Sequence, residues 1–134
     1  MKSMIVVLSF VAALFVAAGP ATAGGTAAPL STPELKKVIG SGKKNTIVFF
    51  ANPMGGPCNA QKQIIDQLFK DRGGNFNVAV VSTMKQEDQQ AFYEYGIRSL
   101  PTLVIVDKKG KIAQFFPPGI QSYETLAATL DKTK

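Results

Sequence analysis

The chain has 134 residues, room for one domain, and its 46% hydrophobic content with modest charge is that of a globular protein that can bury a core. Its formal net charge of +6 comes from scattered lysines that aromatic residues do not interleave, which argues for a solvated basic surface and against nucleic acid as a partner. With no histidine, Ser/His/Asp and Cys/His nucleophilic sites and Cys/His zinc or copper centres are excluded, and with one cysteine, Cys58, so is an intrachain disulfide.

At the amino terminus Lys2 precedes an apolar stretch from Met4 to Ala18 interrupted only by Ser9, and Ala21-Thr22-Ala23 is an A-x-A cleavage site. This predicts a secretory signal peptide over 1–23, cut after Ala23, and a periplasmic or secreted protein. The apolar stretch is shorter than the roughly 20 residues of a spanning helix, so no stable membrane anchor is expected after cleavage. Cleavage removes Lys2 and no acid, so the net charge drops by one from +6 to +5.

Residues 24–30, built of Gly, Ala, Thr, Pro and Leu, read as a flexible arm, and the folded domain is expected over 31–134. Ser31-Thr32-Pro33-Glu34 offers a capping box with Ser31 as the cap, and Leu35, Val38 and Ile39 give the helix that follows an apolar face ending at Gly40. Asn45 to Ala51 carries Thr-Ile-Val-Phe-Phe without polar alternation, the pattern of a strand buried on both faces. From Cys58 to about Lys70, Ile64, Ile65, Leu68 and Phe69 recur at helical spacing among Gln61, Lys62, Gln63, Asp66 and Gln67. Asn77 to Ser82 is a second buried strand, and strand, helix and strand together predict a parallel crossover and an α/β class.

Lys85 to Tyr95 reads as a polar helix with Ala91 and Phe92 for the core. Thr102 to Asp107 and Ile112 to Phe116 read as an antiparallel pair joined at Lys108-Lys109-Gly110-Lys111. Ser122 caps a last helix whose core face is Tyr123, Leu126, Ala127 and Leu130. Gly42-Lys43-Lys44 lacks the rest of a phosphate loop and no G-x-G-x-x-G follows a strand, so no cofactor is expected.

Three pieces of this order resemble the thioredoxin family, which implies a central mixed sheet flanked by helices on both faces. Phe49-Phe50-Ala51 followed by Met54-Gly55-Gly56-Pro57-Cys58 is similar to the family's F-x-A-x-W-C-G-P-C, with Pro53 as one extra residue. Gly96 to Leu103 is similar to the segment that holds the family's cis proline, here Pro101, and the hairpin and closing strand follow it. By this resemblance Cys58 stands at the resolving-cysteine position and Gly55 at the nucleophile position, where the cysteine is absent. Met54 replaces the motif tryptophan, and no carboxylate lies in the run Thr46 to Phe50.

The resemblance implies an exported thiol:disulfide oxidoreductase acting on protein or small-molecule disulfides, its dithiol turnover impaired or lost, with an external thiol as reductant. Substrate contact is implied for Met54, Gly56, Pro57, Leu100 and Pro101, with Phe115 to Gly119 as further walls of a shallow groove or as core. For Cys58 itself a reactive thiol at a helix start and a packed small side chain both remain open, as does an intermolecular disulfide. The alternative function is a non-enzymatic peptide-binding module. Gly55 as a local substitution in an otherwise competent enzyme is the third reading.

Overall fold

The computed structural model describes residues 25–40 and 42–133, so the signal-peptide reading of 1–23 lies outside the described residues. The element order is α1 (Pro33–Gly40), β1 (Thr46–Ala51), α2 (Gly56–Asp71), β2 (Asn77–Ser82), a 3₁₀ turn (Gln86–Asp88), α3 (Gln89–Glu94), β3 (Thr102–Val106), β4 (Ile112–Phe115) and α4 (Tyr123–Lys132). The four strands form one mixed sheet in the order β2-β1-β3-β4. β1 runs parallel to β2 in register Thr46↔Asn77 to Ala51↔Ser82, and antiparallel to β3 in register Thr46↔Val106 to Phe50↔Thr102.

Every residue of β1 is buried, as its unbroken apolar run requires of a strand covered on both faces. Alternation along the strand divides the core in two. Ile47, Phe49 and Ala51 join Cys58, Ile65 and Leu68 of α2 and Leu126 and Leu130 of α4 on one face. Val48 and Phe50 join Leu35 and Ile39 of α1, Ala91 of α3 and Tyr95 at the end of α3 on the other.

Three local expectations are corrected. The cap of α1 is Thr32, whose Oγ1 accepts the Leu35 amide at 3.0 Å, and Ser31 does not fill that role. Pro33 opens the helix and forces the residue before it out of the helical region, so the capping position falls at 32. The helix expected from Lys85 starts instead as a 3₁₀ turn, because the buried Asp88 carboxylate takes the Ser82 amide at 2.8 Å and tightens the entry.

The stretch expected to be a flexible arm makes backbone hydrogen bonds to the hairpin: Ala28 N–H donates to Gly110 O and Ile112 N–H to Thr26 O, both at 2.8 Å. Gly25 lies so close to the Ile112 carbonyl that a side chain would overlap it. Composition hid this docking because it uses backbone groups and the absence of side chains. Ser122 caps α4 as expected, accepting the Thr125 amide at 3.1 Å.

Candidate functional site

The end of β1 delivers the chain into the turn Asn52 to Gly55, and α2 begins at Gly56 with Pro57 in its first turn, where a missing N–H costs nothing. Asn52 organises this turn. Its carbonyl accepts the Gly55 amide at 2.9 Å, its Oδ1 accepts the Met54 amide at 3.0 Å, and its own N–H donates to Cys58 Sγ at 3.4 Å. Asn-Pro is a turn-starting pair, the signal in the sequence that could have singled Asn52 out.

Cys58 is 4% exposed and belongs to the core on the α2/α4 face. Gly55 is the cap residue of α2 with φ −88° and ψ 134°, extended backbone that any residue adopts. A Cβ placed on Gly55 would stand 3.8 Å from Cys58 Sγ and 3.4 Å from the Asn52 carbonyl oxygen, so the two motif positions face each other and a side chain fits between them. At Gly56 a Cβ would meet nothing within 4 Å. Met54 is 80% exposed, and Gly56 and Pro57 are exposed beside it.

The Leu100–Pro101 peptide is cis. Pro101 is buried at the start of β3, directly before the pair Phe50↔Thr102, and so sits at the end of the sheet from which the Asn52 turn departs. Its carbonyl accepts the Gly119 amide at 2.9 Å, joining this segment to the Pro-Pro-Gly corner. Leu100 is partly buried and packs against both halves of the core. Phe116 is core and Phe115 is exposed, which divides the two phenylalanines expected to wall one groove.

A cavity of about 280 Å³ reaches Cys58 from the side of β2, lined by Phe49, Ala51, Pro53, Cys58, Asn59, Lys62 and Val80. Met54, Leu100 and Pro101 do not line it. Its walls carry one charged side chain, Lys62, whose Nζ pairs with Asp66 at 2.6 Å on the exposed face of α2. No carboxylate faces the thiol in this cavity. Among the described residues there is no group of three or more His, Cys, Asp or Glu placed to hold a metal ion, and no helix is long and apolar enough to cross a membrane.

Gln61 is the site residue that sequence reasoning missed. It reads as part of the polar face of α2, yet it is fully buried and its amide is bonded twice to the backbone of Gln121. Gln61 Oε1 accepts the Gln121 N–H at 2.6 Å, and Nε2 donates to the Gln121 carbonyl at 3.1 Å. The available signal was spacing, since 58, 61, 65 and 68 form one helical stripe, and all four residues there are buried.

A mixed four-stranded sheet with a thiol in the first turn of the helix after β1, and a cis proline opening the strand beside it, defines a thioredoxin-like α/β fold. Comparison with known proteins carries this to the family: residues 32–134 match the family described as thioredoxin-like domain, and the chain belongs to it. Similar relatives include thioredoxin M4 of Arabidopsis thaliana chloroplasts, 34% identical over 116 residues that cover 80% of this chain and 56% of that one. Thioredoxin 1 of Nostoc sp. is 30% identical over 106 residues, covering 79% of this chain and 95% of its own. The solved thioredoxin of Fasciola hepatica superposes with a TM-score of 0.65 at 25% identity, over 78% of this chain and 97% of that one.

Proposed function

We propose that this protein is an exported member of the thiol:disulfide oxidoreductase class, acting on protein or small-molecule disulfides, whose own dithiol cycle is impaired or lost because Gly55 stands where the attacking cysteine would be. The observation that carries this is the geometry of the pair: a side chain at Gly55 would begin 3.8 Å from Cys58 Sγ on backbone already suited to it. Met54, Gly56, Pro57 and the Leu100–Pro101 edge are the substrate contacts in this reading, and the resemblance of the chain to thioredoxins supports them.

The chemistry open to Cys58 alone is half a cycle. Its thiolate attacks one sulfur of a substrate disulfide, a new Cys58 to substrate S–S bond forms, and the other substrate sulfur leaves as a thiolate that takes up a proton. Release needs a second thiol to attack that mixed disulfide. Without a cysteine at 55, an external thiol reductant must supply both it and the electrons.

Thiol-driven reduction of a protein disulfide, followed with dithiothreitol as the electron source, tests the reading. Gly55→Cys is expected to raise the rate at least about tenfold, because the resolving step becomes intramolecular, and Cys58→Ser in that background is expected to abolish the gain. Inactivity of both the native chain and Gly55→Cys would overturn the oxidoreductase assignment.

One observation favours a second reading, a non-enzymatic peptide-binding module: Cys58 is 4% exposed and its sulfur accepts from the Asn52 amide. Alkylation of the folded protein separates the two, since complete protection of Cys58 excludes single-thiol chemistry. Export rests on the pattern of residues 1–23 and predicts that the exported protein begins at Gly24 by amino-terminal sequencing. Recovery of the intact Met1 chain in the cytoplasm would remove it.

A further inference from the structure

We propose that the open edge of β2 is a self-association surface, at which a second copy of this chain adds its own β2 antiparallel to make one continuous sheet. The two edges of the sheet are finished differently. Thr26 and Ala28 bond to the backbone at the β4 side, whereas β2 has β1 as its one strand neighbour among the described residues. The ladder fixes which groups face outward. Asn77 N–H donates to Asn45 O at 2.8 Å and Thr83 N–H to Ala51 O at 3.1 Å, so the odd-numbered residues turn their amides towards β1. Val78 and Val80 therefore turn theirs away. The next outward amide, that of Ser82, is taken by Asp88, which confines the open stretch to Val78 and Val80.

Nothing on this stretch discourages pairing: it carries no charge and no proline, the usual guards of an edge strand. Val80 is 37% exposed, and Phe69, which shares a cavity with Val78, is 41% exposed. Two cavities flank the edge, one of about 340 Å³ that includes Val78, Asp66 and Phe69, and the one of about 280 Å³ that includes Val80 and Lys62. A two-fold axis at Ala79 sets Val78 opposite Val80 of the second copy, and Val80 opposite its Val78, so the outward amides and carbonyls bond reciprocally. The same operation sets the two copies of α2 antiparallel, so the Lys62–Asp66 pair closed within each copy meets the other's head to tail, each Lys62 towards Asp66 of the second copy. Backbone pattern, apolar side chains and charge are thus all self-complementary, which selects a second copy over an unrelated extended peptide.

Sedimentation equilibrium of the full chain across the micromolar range tests this. The native chain is expected to form a dimer that dissociates on dilution, and Val80→Lys, at an already exposed position, is expected to raise the dissociation constant at least about tenfold with an unchanged circular dichroism spectrum. Lys62→Asp alone weakens the dimer, and the exchange Lys62→Asp with Asp66→Lys restores it. A chain that stays monomeric, a dimer indifferent to Val80→Lys, or single and exchanged charge variants that behave alike overturns the proposal. So does a monomer whose Val78 and Val80 amides resist hydrogen exchange, because another segment then covers the edge.

Discussion

On the α1/α3 face of the sheet the core is closed by aromatic contact, and on the α2/α4 face, where the thiol lies, it is closed by polar ties as well. Phe50 is fully buried and meets Phe92 edge-on at 5.4 Å and 69°, and Tyr95 at 5.0 Å and 62°. The Tyr95 hydroxyl donates to the Pro29 carbonyl at 2.8 Å, and burial, with the Glu94 charge adding to it, pushes that phenol above the ordinary tyrosine range. On the other face Gln61 holds the backbone of Gln121, the Tyr123 hydroxyl holds Asp71 at 2.7 Å, and Arg72 holds Asp131 at 2.7 and 3.3 Å. The aromatic face anchors the sheet through contact area, while the polar ties fix where α2 and the corner before α4 stand relative to each other. That position matters at a site made of a turn and a cis proline on neighbouring strands.

The largest effect is expected from the aromatic face. Phe50→Ala removes a fully buried ring and both edge-to-face pairs, and should cost about 3–5 kcal/mol in urea unfolding. If the faces serve separate ends, the alkylation rate of Cys58 in the folded variant stays at the native value, and Phe50→Leu supplies the same test should the alanine variant fail to fold. A Cys58 rate that changes in step with the stability loss would show that the aromatic face also sets the site.

Gln61 comes next, because removing it acts on position more than on area. Gln61→Leu makes the buried stripe of α2 wholly apolar but leaves the Gln121 N–H and carbonyl without their buried partner, at a cost of about 1–3 kcal/mol. The Gln121 amide should then exchange with solvent faster than in the native chain, by hydrogen-exchange mass spectrometry or NMR. Unchanged exchange there would mean that the corner is held by the Gly119 to Pro101 bond without help from α2.

How far each face was legible in the sequence follows from the range of its interactions. The strand run Thr46 to Phe50, the stripe of α2, the hairpin turn at Gly110 with φ +81° and the Ser122 cap are local patterns, and each stands where residue type and spacing put it. The polar ties are not local. Gln61 meets Gln121 across 60 residues and Tyr123 meets Asp71 across 52, and a buried glutamine looks like any other on a helix read alone. The site divides the same way: the facing of Gly55 and Cys58 follows from one helical turn, whereas the cavity at Cys58 needs Val80 from β2, a residue the motif does not name. The docking of residues 26–28 was hidden for a third reason, that backbone hydrogen bonds leave no trace in composition.

The smallest expected effect isolates one polar tie by its pH dependence. The Tyr123 hydroxyl, and after it the Gln67 amide at 2.8 Å, hold the Asp71 carboxyl below its ordinary value of 3.8, and the same bond raises the Tyr123 phenol. A carboxylate lowered in the folded state stabilises the protein above its unfolded pKa, and that contribution is lost as pH falls through the folded value. Stability should therefore drop on the acid side of about pH 4, in a step that Tyr123→Phe makes shallower. The groups are open to solvent, so the step is small and shrinks further with salt. Asp131, lowered by its hydrogen bond to Arg72, titrates over the same range and is the internal reference, since Tyr123→Phe leaves that pair in place. Urea midpoints at about pH 7 and about pH 3 for the native chain, Tyr123→Phe, Asp71→Asn and the double variant close the cycle. If the two single changes flatten the step equally and the double adds nothing, the hydroxyl and the carboxylate act as one tie between α2 and α4. If Tyr123→Phe leaves the step untouched, Gln67 alone holds Asp71, and the α2/α4 face owes its alignment to Gln61 and the Arg72 pair.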